Sequence, residues 1–286
     1  MAIDLTQLAP EQLEKPPIKL VYFDIDGTLL NTDGRYSQTV KSAMLRLQER
    51  GILTAIASGR PSFAAQFLID DLKLNAPGVF CTGAQIYYPL TGETLVANSL
   101  APDLAARLIA AIRPLELYYE LYTGEGFYIE VDRSSAICQI HAQALRCEPL
   151  VANFDSLVPT QPIYKILIGA NQTRDAEKLQ WLEAQFPECI FAYAGLPAHP
   201  EWLFASIIDR RADKLAAFNW LLNFHNLRAE NVMSFGDAQS DRVFLQAAGT
   251  GIAMGNASAA VKAVANYVTK PVWEDGIAYA LQCLIP

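Results

Sequence analysis

The sequence predicts an α/β protein whose core is a doubly wound parallel sheet interrupted by an inserted α+β segment. Short apolar runs alternate with helical periodicity over residues 18–81, the alternation gives way to hairpin and aromatic-strand patterns over residues 89–200, and it resumes from about residue 202 to the end. Three of the apolar runs also stop abruptly at polar or acidic residues, namely Asp24 and Asp26, Ser58, and Asp237. Strand tips do this on the ligand-binding edge of an open α/β sheet.

Each element follows from local pattern. Residues 1–17 scatter Asp4, Glu11, Glu14 and Lys15 through a weak apolar pattern and end at Pro16-Pro17. They lack the charged and apolar regions of a signal peptide and read as a short N-terminal leader of one or two helical turns. Residues 18–23 form a β-rich run. Residues 36–50 place Val40, Ala43, Met44 and Leu47 at helical spacing and stop at Gly51. A second strand follows at 52–57, a second helix at 61–72 with Pro61 in its first turn, and a short third strand at 78–81. This order implies parallel pairing with right-handed crossovers.

The pattern then changes. Residues 84–88 and 93–97 flank the turn-prone 89–92 and read as a hairpin. A helix at 103–113 precedes aromatic strands at 117–122 and 127–131, and 163–169, 175–186 and 189–193 complete an α+β layer. The first rhythm returns with a strand at 203–208, helix 213–224, strand 231–235, helix 240–248, strand 251–254, helix 257–265 and an amphipathic helix at 276–284. The predicted organisation is a leader (1–17), a core from 18–88 and 201–286, and an inserted domain at 89–200.

Composition narrows the function classes. Of 286 residues 52% are hydrophobic, enough for a sizeable core. A net charge of −8 argues against a nucleic-acid partner. No apolar run approaches the ~20 residues that span a bilayer. The five cysteines, Cys81, Cys138, Cys147, Cys189 and Cys283, are scattered and odd in number, which favours free thiols and a cytoplasmic location.

In a parallel sheet the acidic tips would meet at one edge. Asp24, Asp26, Asp237 and Asp241 would repel one another there unless a cation sat between them, and oxygen-only ligation suits Mg²⁺. Ser58 and Lys214 supply a donor and a positive charge suited to a phosphoryl group. Taken singly, other roles stay open: Asp241 could cap the helix after it, Lys214 could be a surface helical lysine, and Arg60 could contact phosphate or form a surface ion pair.

Asp24-Ile-Asp26-Gly-Thr28, Ser58, Lys214 and Gly236-Asp237-x-x-x-Asp241, in that order, resemble the four motifs of the haloacid dehalogenase-like hydrolase superfamily. Together with the large insertion they are similar to Cof-like phosphatases with a type II cap. The 253–257 stretch, Lys262 and Glu274-Asp275-Gly276 match the tail of that family. The resemblance implies a Rossmann-like core with an inserted α+β cap domain. It implies that Asp24 is the nucleophile that forms an aspartyl-phosphate, and that Asp26 is general acid and then general base. Mg²⁺ would be held by the Asp24 carboxylate, the Asp26 backbone carbonyl and Asp237, with Asp241 in the ligand shell or just behind it. Thr28, Ser58, Arg60 and Lys214 would bind the substrate phosphate. Three positions depart from the family pattern: Ser240 stands where Asn is usual, Leu215 where Gly is usual, and Thr82 begins a loop that usually reads Asn-Gly-Ala.

The expected activity is a Mg²⁺-dependent phosphatase acting on a small phosphorylated metabolite, a sugar phosphate or similar phosphomonoester, as a monomer or homodimer. The alternatives are a phosphotransferase or phosphomutase on the same intermediate, and a phospho-ligand-binding protein of weak activity. Within the insert, Tyr118, Tyr119, Tyr122, Phe127 and Tyr128 are read as packing the sheet on its helices, with a polyol-binding face as the other reading. Lys165 falls at an alternate-face strand position open to an anionic ligand or to solvent, and His199 reads as a loop residue.

Overall fold

The computed structural model describes residues 2–130, 135–196 and 199–285. By its internal contacts the chain divides into two compact units. The first comprises Met1–Gly59, Gln66–Leu95 and Lys214–Pro286, and the second Arg60–Ala65 and Val96–Asp213.

The first unit is built on a six-stranded, wholly parallel sheet in the order Ile3–Asp4, Tyr267–Val268, Thr250–Ala253, Val232–Gly236, Leu20–Phe23, Leu53–Ile56. Every residue of the Leu20–Phe23 and Val232–Gly236 strands is buried, as expected for parallel strands covered on both faces. Phe23 stacks on Phe235 across this pair, with ring centroids 5.3 Å apart. From Leu20–Phe23 the chain first steps outward to Leu53–Ile56 and later returns on the other side through Val232–Gly236. That reversal is the topological switch point, where open α/β sheets place their ligand crevice. The helix expected at 36–50 runs Gln38–Glu49, its first turn capped by Ser37, whose Oγ accepts the Val40 N–H at 3.1 Å.

Two expectations about this unit change. The leader is part of the fold: Ile3–Asp4 is an edge strand paired with Tyr267–Val268, and Leu5 and Leu13 are buried. A two-residue strand is too short to leave a sequence pattern. The third strand, Gly78–Phe80, lies in a separate three-stranded sheet with Gln85–Tyr88 and Glu93–Ala97, and touches the parallel sheet through one bridge, Ala57 to Val79. At its end Cys81, Thr82 and Gly83 all take left-handed backbone conformations, with φ of 48°, 60° and 106°. This turn carries the Thr82 N–H to the Ser58 carbonyl at 3.3 Å.

The second unit holds a six-stranded sheet in the order Cys189–Leu196, His199–Asp209, Lys165–Asn171, Tyr118–Tyr122, Phe127–Ile129, Leu150–Val151, antiparallel except for its last pair. The strand expected at 203–208 to resume the core is therefore a strand of this sheet, and His199 opens it instead of lying in a loop. Its continuous apolar run suits a buried strand of either sheet, so periodicity could not assign it. Val131, the expected end of an aromatic strand, lies outside the described residues. Helices Pro102–Ile112 and Ala176–Gln185 pack on one face against Leu121, Ile166, Ile168, Ala205 and Ile207. The other face, with Tyr122, Phe127, Leu167 and Phe204, packs on Ala136–Leu145, a helix not expected from the sequence.

On that second face Glu120 is fully buried. It accepts from the Tyr122 hydroxyl at 2.6 Å, from the Tyr118 hydroxyl, and from His141 Nδ1 at 2.8 Å. Lys165 is also buried, its ammonium 4.3 Å from the centre of the Tyr122 ring. The aromatic cluster is thus consumed by packing and by this network, as the packing reading expected.

Removing the acceptor at the centre of the network takes away the shared carboxylate on which the Tyr118 and Tyr122 hydroxyls and His141 Nδ1 converge. Glu120→Ala is expected to cost roughly 3 kcal/mol of stability; a urea midpoint within error of the parent protein would contradict the assignment. Thr82 carries the opposite expectation. A β-branched residue in the left-handed region costs roughly 1–2 kcal/mol, and Asn tolerates it far better. Thr82→Asn should therefore raise stability by about 1 kcal/mol, read as a higher urea midpoint at unchanged slope.

Candidate active site

Asp24 follows the last residue of the central strand. Its N–H donates to the Phe235 carbonyl at 3.1 Å, and Ala57 N–H donates to the Phe23 carbonyl at 2.9 Å. In-register pairing of Phe23 with both Phe235 and Ile56 sets Asp24, Ser58 and Gly236-Asp237 on three adjacent strand tips. Ser58 is buried and held by backbone on both sides: its N–H donates to the Val79 carbonyl at 2.9 Å and its carbonyl accepts from Thr82.

After Asp24 the chain reverses tightly, with Leu30 N–H donating to the Ile25 carbonyl at 2.7 Å and Gly27 N–H to the Leu30 carbonyl at 2.9 Å. Gly27 is required twice over. Its φ is +83°, and a Cβ there would lie 2.2 Å from Asp237 Oδ2. The turn brings buried Thr28 to Asp237, with the hydroxyl donating to Oδ1 at 2.9 Å. The structure thus ties the Thr28 hydroxyl to an acidic side chain of the site by a hydrogen bond. Asp26 is exposed.

Asp24, Asp237 and Asp241 bring one carboxylate oxygen each to within 4.8 Å of one another; the Asp26 carboxylate is not in this group. Lys214, at the start of the Lys214–His225 helix, is buried with its ammonium 3.3 Å from Asp241 Oδ1. Asp241 also takes the Asp237 and Ala238 N–H groups on Oδ2, at 3.1 and 2.9 Å, and the Ser240 hydroxyl on Oδ1 at 3.3 Å. Its side chain makes no cap bond to the helix that follows. It organises the Gly236–Asp241 turn instead, and Ser240 is turned toward it.

The electrostatics are strained. Burial pushes the Asp24 carboxyl well above its ordinary range, with Asp241 adding to the rise, Lys214 opposing it, and Asp26 and Asp237 adding further. Burial lifts Asp237 to about 6, a rise that Asp241 and Asp26 reinforce and the hydrogen bonds from Thr28 and Asn256 oppose. Three acidic oxygens, no nitrogen or sulfur ligand, and an excess of negative charge over the Lys214 ammonium fit a hard divalent cation such as Mg²⁺.

Two other positions stand differently. Arg60 belongs to the second unit, where its Nη1 donates to the Ala144 carbonyl at 2.9 Å. Asn256, to which the sequence assigned no role, donates through Nδ2 to the Gly27 carbonyl at 2.9 Å and to Asp237 Oδ2 at 3.3 Å. It lies 19 residues from Asp237, inside the 253–257 stretch that resembles the family's tail, a resemblance that carried no role for this side chain.

The chain is similar in sequence and in fold to known proteins. A pyridoxal phosphate phosphatase of Escherichia coli is 29% identical, covering 91% of this chain and 96% of its own. An HMP-PP phosphatase of Klebsiella pneumoniae is 28% identical, over 86% and 87%. A solved haloacid dehalogenase-like hydrolase from Bacteroides thetaiotaomicron superposes with a TM-score of 0.83 at 27% identity, covering 93% of this chain and 98% of that one. A structure from Thermotoga maritima gives 0.80 at 25% identity, over 93% and 97%. Residues 21–281 match the family sequence pattern from the central strand through the last helix, and the chain with its acidic strand-tip site belongs to the haloacid dehalogenase-like hydrolases.

Proposed function

We propose that this protein is a Mg²⁺-dependent phosphatase that hydrolyses small phosphorylated metabolites through an aspartyl-phosphate on Asp24. The observation that carries the reading is the convergence of the Asp24, Asp237 and Asp241 carboxylates beside the buried ammonium of Lys214. Relatives named as phosphatases of pyridoxal phosphate and of HMP-PP support a small phosphomonoester or related phosphate as substrate. A sugar phosphate remains within that class.

In this reading an Asp24 oxygen attacks phosphorus opposite the ester oxygen, forming the Asp24–phosphorus bond as the phosphorus–ester bond breaks. Asp26 is exposed and gives its proton to the departing alkoxide. Its carboxylate then takes a proton from the water that attacks the aspartyl-phosphate, which returns Asp24 and releases inorganic phosphate. Ser58 and Lys214 balance charge on the phosphoryl oxygens. Asp24, the Asp26 backbone carbonyl and Asp237 would hold Mg²⁺, with Asp241 in the ligand shell or just behind it. When bound, the ion supplies the positive charge that lets a carboxylate approach an anionic phosphate. Thr28 orients Asp237, and the second unit is assigned the role of cap.

Phosphate release from p-nitrophenyl phosphate should require Mg²⁺ and stop with EDTA. Asp24→Ala should lose on the order of 10⁴-fold or more in kcat; equal rates for the parent protein, the chelated protein and this variant would sink the proposal. Lys214→Met should lower kcat/KM by roughly 10²–10³-fold, and a variant turning over like the parent would remove Lys214 from the phosphoryl site.

A further inference from the structure

Asn256 sits in the loop between the Thr250–Ala253 strand and the Ala259–Lys262 helix. Lys262 Nζ donates to the Gly255 carbonyl at 2.6 Å, and Gly255 N–H donates to the Lys270 carbonyl at 3.1 Å. These two bonds anchor the loop backbone independently of the Asn256 side chain. That side chain is fully engaged elsewhere. Nδ2 donates to the Gly27 carbonyl at 2.9 Å and to Asp237 Oδ2 at 3.3 Å, while Oδ1 accepts the Val272 N–H at 2.9 Å. The amide cannot be reversed, since its oxygen would then face the Gly27 oxygen and the Asp237 carboxylate while its NH₂ faced the Val272 N–H.

These bonds close a ring. Asn256 fixes the Gly27–Thr28 peptide through the Gly27 carbonyl. From that peptide the Thr28 hydroxyl reaches Asp237 Oδ1 at 2.9 Å, and Asn256 itself meets the second oxygen of the same carboxylate. Both Asp237 oxygens therefore have a donor from the ring, and rotation of the carboxylate about its own bond is blocked. A primary amide with its acceptor anchored to Val272 can do this, whereas an apolar side chain of similar size cannot.

We propose that Asn256 is a positioning residue that sets the cation affinity of this site by holding the Asp237 carboxylate in its ligating orientation. The proposal rests on the reading of Asp237 as a cation ligand. Its effect is on Mg²⁺ binding itself, so catalysis at saturating Mg²⁺ should be largely restored in a variant lacking the amide. A role confined to the loop's stability would show in unfolding and leave Mg²⁺ binding untouched.

The test is calorimetric titration of Mg²⁺ into the full chain for the parent protein, Asn256→Ala and Lys262→Met. The last removes a loop-anchoring bond that does not touch Asp237. Expected are about 10–100-fold weaker binding for Asn256→Ala, as for loss of a hydrogen bond orienting a ligand, and Lys262→Met within about threefold of the parent. Unfolding with and without Mg²⁺ should show the metal-induced rise in Tm shrinking in the Asn256 variant alone. Binding by Asn256→Ala within about threefold of the parent overturns the proposal, and so does equal weakening in both variants. Asn256→Ser, which keeps a polar group at the loop, is read by the same criterion if the alanine variant does not fold. Absence of Mg²⁺ binding by the parent protein overturns the cation-ligand reading, and this proposal with it, and is thereby distinguished from failure of the Asn256 role alone.

Discussion

Mutual repulsion among three carboxylates at the carboxyl edge of the parallel sheet, two buried and one half-buried, is the constraint around which the first unit is arranged. Asp24, Asp237 and Asp241 stand within 4.8 Å of one another through their oxygens, and burial makes the ionised forms of Asp24 and Asp237 costly. The surrounding residues each relieve part of that cost. Lys214 faces Asp241, backbone N–H groups close on Asp241, and Thr28 and Asn256 donate to Asp237. Gly27 is needed because a Cβ in its place would occupy the space of the Asp237 carboxylate. What these donors leave unbalanced is net negative charge, which matches a divalent cation and a chemistry that brings an anion to it.

The second unit contains a buried acid with the opposite fate. Glu120 is buried more completely than Asp24, yet two tyrosine hydroxyls and His141 converge on it. Its hydrogen-bonding capacity is used internally, so the group reads as a specification of packing between the sheet and the Ala136–Leu145 helix. The contrast separates structural acids from site acids by their surroundings. Among the described residues Glu120 stands apart from other carboxylates, whereas Asp24 and Asp237 lie in a cluster of acids in which burial and neighbouring carboxylates raise their proton affinity, the setting that a cation relieves.

Much of this was legible in sequence because parallel strands are continuous apolar runs and their tips are abrupt. Asp24, Asp26, Ser58 and Asp237 stood out for that reason, and the helices at 38–49 and 276–284 followed from spacing alone. Elements without a pattern were not legible. The Ile3–Asp4 and Tyr267–Val268 strands are two residues long, too short for any alternation to register. Residues 203–208 of the His199–Asp209 strand were visible as a strand, but the partner sheet was not, since a mostly apolar run carries no information about which neighbour covers it. Glu120 and His141 gave no warning because they are 21 residues apart and meet only across the packed face.

The sequence by itself determined the type of chemistry. Acids at strand ends and a glycine after the second acid require only local periodicity and the rule that parallel strands share an edge, while Lys214 stood out only through its place in the resemblance to the family's ordered motifs. Tertiary structure alone decided which atoms meet. Thr28 turns its proton to Asp237, Asp241 gives its oxygens to backbone N–H groups and Lys214, and Asn256 spans from the far loop to the same carboxylate. Hydrogen bonds depend on separations of about 3 Å and on direction, and residues distant in sequence acquire both only when strand register and the close approach at Gly27 bring their loops together.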